Sequence, residues 1–172
     1  LLDGETDDDK IRAGFYDLTG IAFDDFMLLD LPDTNFAGEN IIDPEKYMLY
    51  NDPFMGKFDT TAVPGRSAVY ASMAERLGKL SDNPDFGYMF STLSALCSVL
   101  ELKYDLGVRT KEAYTAGKDL KELAGVYGEV IRRLRDFYEK LRAQWHRENK
   151  TFGFEVQTAR IGGLIQRLTD CQ

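Results

Sequence analysis

One histidine, two cysteines and one tryptophan stand among 172 residues, and that scarcity removes several kinds of chemistry. A di-iron helical bundle needs Glu-x-x-His on two helices plus two further glutamates. Here the histidine is His146, and Ala143 stands three residues before it. A metal site demands more ligands than one imidazole, so His146 reads as a residue near a helix end, close to the last carbonyls. A hydrolytic triad would also rest on His146 for its base, and no Gly-x-Ser-x-Gly elbow is present to expose a nucleophile. Neither a Gly-x-Gly-x-x-Gly fingerprint nor a phosphate loop ending in Gly-Lys-Ser/Thr occurs. Cys97 lies in the run SALCSVL, where a thiol behaves as a small core hydrophobe. Cys171 stands alone near the other end, and two such cysteines make neither a disulfide framework nor a zinc site. The expectation is a chain with no catalytic residue, no metal and no cofactor of its own.

Long apolar runs are missing too. No stretch approaches the roughly 20 residues needed to cross a bilayer, so no membrane partner is expected. Nothing after Leu1 reads as a basic segment followed by an apolar run, which leaves no visible signal peptide. The compartment is left unknown, with the cytoplasm slightly favoured. Base is scarce in the first part of the chain. Residues 1–60 hold 15 acids and four bases, residues 61–172 hold 14 acids and 17 bases, so the segments carry −11 and +3 within the total of −8. Proteins that bind nucleic acid show a basic face and a basic isoelectric point; this chain is not one of them. The paired acids Asp7-Asp8-Asp9 and Asp24-Asp25 lie in polar surroundings that would not raise a carboxyl into the working range of a general acid.

What is present is helix. At 44% hydrophobic and 29% charged residues, the composition is that of an ordinary globular domain. A helix is expected over Thr19–Asp30, ended by Pro32, followed by a loop through Asp33–Tyr47 and turn chemistry at Asn51-Asp52-Pro53 and Gly56. From Pro64 onward the three- and four-residue apolar spacing dominates. Ser67–Ser81 forms one helix. Asn83 as N-cap and Pro84 at the first position open a second, with Phe86, Phe90, Leu93, Cys97, Leu100 and Tyr104 as its core stripe and Gly107 as its left-handed stop. A long helix from Thr110 to Asn149 carries a seam from Leu120 through Tyr127, Val130, Leu134 and Phe137 to Trp145. Its other face pairs opposite charges, such as Glu129/Arg133 and Asp136/Lys140, as a solvated surface would. Gly117, Gly125 and Gly128 predict a kink or close contact. A last helix spans Glu155–Thr169. The expected fold is all-α: a bundle of about four to five helices over residues 61–172, behind an irregular acidic arm with one short helix over residues 1–60.

Two phrases carry a family resemblance. Lys46–Thr60 (KYMLYNDPFMGKFDT) and Glu148–Leu168 (ENKTFGFEVQTARIGGLIQRL) resemble the C-terminal region of bacterial β-N-acetylhexosaminidases of glycoside hydrolase family 20, in the branch where a helical domain follows the (β/α)8 barrel. The resemblance implies an upstream catalytic barrel as partner. It also implies an exo-acting parent enzyme that removes terminal N-acetylglucosamine or N-acetylgalactosamine by substrate-assisted retaining hydrolysis. The family's Asp-Glu catalytic pair ends a His-x-Gly-Gly-Asp-Glu type run, which this chain lacks, so an accessory role is implied. Tyr50 and Asp52 become candidates for a sugar-pocket rim, against the plainer reading of a rigid turn. Gly162-Gly163, inside the last helix, asks for a neighbouring helix or the barrel at a distance that no Cβ permits. The alternative is a helical interaction or oligomerisation module unrelated to glycosidases, and the seam of the long helix also accommodates a homo-oligomer.

Overall fold

In the computed structural model, residues 4, 6–30, 34–36, 39–41 and 44–172 are described. The fold is all-α. Its helices are α1 (Asp8–Thr19), α2 (Phe23–Phe26), α3 (Pro44–Tyr50), α4 (Arg66–Lys79), α5 (Gly87–Lys103), α6 (Leu106–Thr115), α7 (Lys121–Glu148) and α8 (Phe154–Asp170). A small antiparallel ribbon pairs β1 (Thr34–Phe36) with β2 (Glu39–Ile41), Asn35 opposite Asn40. Five of the helices, α4 to α8, fall in residues 61–172 as expected; those beyond the expected four to five lie in the arm.

Helix α5 is the centre. It packs on α4 at one side and on α7 at the other, and α7 carries α8. A helix with neighbours on both sides buries more than one stripe. Phe90, Cys97 and Leu100 are buried as their spacing predicts, and so are Thr92, Ala95, Val99 and Lys103. Tyr127, Val130, Leu134 and Phe137 of the α7 seam are buried against α5 and α8. Ile21, Met48 and Leu49 of the arm belong to the same hydrophobic core as Leu77, Leu100 and Leu168.

Several local expectations are corrected. The acidic stretch before Thr19 is helical. Asp7 caps α1 by accepting from the amides of Asp9 and Lys10, and Gly20 closes it at φ 69° with its amide on Tyr16 O. Thr19 therefore ends a helix, and the expected Thr19–Asp30 helix shrinks to α2 and the 3-10 turn Met27–Leu29. Pro32 lies outside the described residues, as does part of the Asp33–Tyr47 loop. Asn83 does cap a turn, its Oδ1 accepting from the amides of Asp85 and Phe86, but α5 begins four residues later. Gly107 is no left-handed stop; it sits inside α6, where Pro53 would lie 3.2 Å from any added Cβ. The long helix is two, interrupted at Gly117 with φ 63°. Arg133 is also not a simple surface residue. Besides Glu129, it donates to Ser98 O and Glu101, tying α7 to α5.

Candidate functional site

The turn that follows α3 is held by a dense set of hydrogen bonds. The last carbonyls of a helix have no partner within it, and here one is supplied from α5. Lys103, only 3% exposed, donates from Nζ to Met48 O at 3.2 Å and Asn51 O at 2.7 Å. Burial pushes this amine down to about 8, opposed by the nearby charges of Asp52 and Asp59.

The turn is then locked from within. Asp52 Oδ1 accepts from the amides of Phe54 and Met55, both at 2.9 Å, the Asx arrangement that favours Asp at such positions. Gly56 donates its amide to Asp52 O at 2.8 Å. Buried Asn51 donates to Asp59 Oδ1 at 2.8 Å and accepts from the Phe58 amide at 3.1 Å. Two further helices clamp it. Lys111 of α6 donates to Asp59 Oδ2 at 2.6 Å, and Arg167 of α8 donates to Asp52 Oδ2 at 2.5 Å. At the tip, Phe54 and Met55 are 52% and 81% exposed, and the Arg167 guanidinium stands 5.8 Å from the Phe54 ring centre. The arrangement is a stiff turn with an apolar tip.

Tyr50 and Asp52 are thus brought together at one corner with Arg160 and Arg167. Tyr50 is half-buried; burial pushes its phenol up, and the Arg160 charge pulls the other way. Arg167 holds the Asp52 carboxyl well below the usual range, helped by the Met55 and Phe54 amides. Asp52 is therefore ionised at neutral pH and cannot donate a proton there as a general acid. Gly162 and Gly163 lie on the exposed side of α8, and a Cβ added at either would meet nothing within 4 Å. Among the described residues, then, no neighbouring helix stands within 4 Å of either position. Lys103, Asp59 and Lys111 help carry the corner without any mark in the sequence reading, where Asn51 counts only as turn chemistry. Of these, only Lys103 carries a signal that could have found it, as a charge set between Leu100 and Tyr104 of an apolar stripe.

Replacing Asp52 with Asn separates the ion pair from the turn, because an amide oxygen still accepts from Phe54 and Met55. Arg167 is 44% exposed at its side chain, so the expected cost is about 1 kcal/mol or less. The folded carboxyl titrates below its unfolded value of about 4. The contribution is therefore present above that pH and lost as pH falls through the folded value. The melting-temperature gap between wild type and Asp52→Asn should be constant near neutrality and close on acidification; a gap independent of pH would remove the ion pair as its cause.

Comparison with known proteins places this corner in a family. The model of the glycoside hydrolase 20C C-terminal domain matches residues 24–172, a span that contains both phrases carrying the resemblance. A search of curated proteins finds no match. A module unrelated to glycosidases is thereby set aside. The chain belongs to the glycoside hydrolase 20C C-terminal domain family.

Proposed function

We propose that this chain is a non-catalytic accessory domain that packs against and steadies the catalytic (β/α)8 barrel of an exo-acting β-N-acetylhexosaminidase. The family match over residues 24–172 carries the reading. In the parent enzyme, the substrate's own acetamido oxygen attacks the anomeric carbon, an exception to the two-carboxylate scheme. An upstream Asp orients the acetamide and its neighbouring Glu protonates the leaving oxygen. Residues of this chain serve that chemistry by position. The stiff Asn51–Asp59 turn, with Tyr50 and Asp52 at its base, is suited to the rim of the sugar pocket. The open strip at Gly162 and Gly163 leaves room for the barrel's backbone beside α8.

The test compares two proteins on a chromogenic β-N-acetylglucosaminide and the matching galactosaminide. The full-length protein should turn over at least one of them, and replacing its Asp-Glu pair should abolish turnover. Residues 1–172 alone should read at background. A full-length protein inactive on both, or turnover by this chain alone that depends on its own residues, would sink the reading. Removing residues 24–172 from the full-length protein should lower the melting temperature of the catalytic domain.

A further inference from the structure

We draw no further inference here: the strongest candidate, the exposed flank of α8 where Val156, Arg160, Gly163 and Arg167 run on to the apolar Phe54–Met55 tip of the turn after α3, carries none, because nothing in the structure shows what covers it.

Discussion

Lys103→Ala is expected to cost about 4 kcal/mol, which for a domain of this size lowers the melting temperature by roughly 10–15 °C. Two losses combine. The buried side chain leaves a cavity between α5 and α3, as any large-to-small change does at a site that cannot collapse. Met48 O and Asn51 O also lose their donor inside the protein, and a buried acceptor left unpaired bears its full desolvation cost. Lys103→Met keeps most of the volume and should cost clearly less.

The same residue predicts a pH dependence. The folded amine titrates at about 8, against an unfolded value of about 10.5. Between these values the unfolded chain holds more protons, so the burial penalty is full below pH 8 and fades as pH rises toward 10.5. Urea midpoints of wild type and Lys103→Met between pH 8 and 10 check this, since other groups titrate in both proteins alike. Wild type should gain relative to the variant; a constant difference would mean that the amine stays protonated in the folded state.

Gly87→Ala should cost about 3 kcal/mol, at the upper end of what overpacking does. A Cβ at Gly87 would stand within 2.2 Å of Ser81 O and 2.9 Å of Ser81 C. Both are backbone atoms, and the turn that would have to move is already committed. Asn83 in it accepts from the amides of Asp85 and Phe86 and donates to Thr19 O. Displacing it loosens the turn ahead of α5 and the attachment of α1 together. Gly163→Ala offers the opposite sign. Its added Cβ enters open space, so the helix should gain by propensity, up to about 1 kcal/mol. Melting curves of the two variants of this domain decide the matter: a rise for Gly87→Ala, or a fall for Gly163→Ala, would reverse the assignment of which glycine is in close contact.

These two glycines show how far a sequence carries. Gly162-Gly163 drew notice because two adjacent glycines weaken a helix, which is visible in one dimension. Gly87 sits unremarkably near a helix start, and its partner Ser81 comes close only because the chain reverses through Asn83. The arm tells the same story. Asp7, the spacing of Ile11, Phe15 and Leu18, and Gly20 are a start, a stripe and a stop for α1, yet a run of aspartates obscured them. At the corner, Asn51-Asp52-Pro53 reads as a turn from residue chemistry alone. Its clamps come from positions 52 to 115 residues further on, on three different helices.

The sequence by itself determined the helical class, the buried face of α7 from Tyr127 to Phe137, the turn after α3, and the family through two long phrases. Each is a local matter, since periodicity, turn chemistry and contiguous identity all act over a few neighbouring residues. Only the tertiary structure decided that α5 is central, that Lys103 is buried in it as a donor, and that Asp52 is held by Arg167. It also decided that Gly87 stands against backbone while Gly162 and Gly163 stand clear. Those depend on which surfaces meet, and a charged or small residue on a stripe looks the same in sequence whether its neighbour is water or another helix.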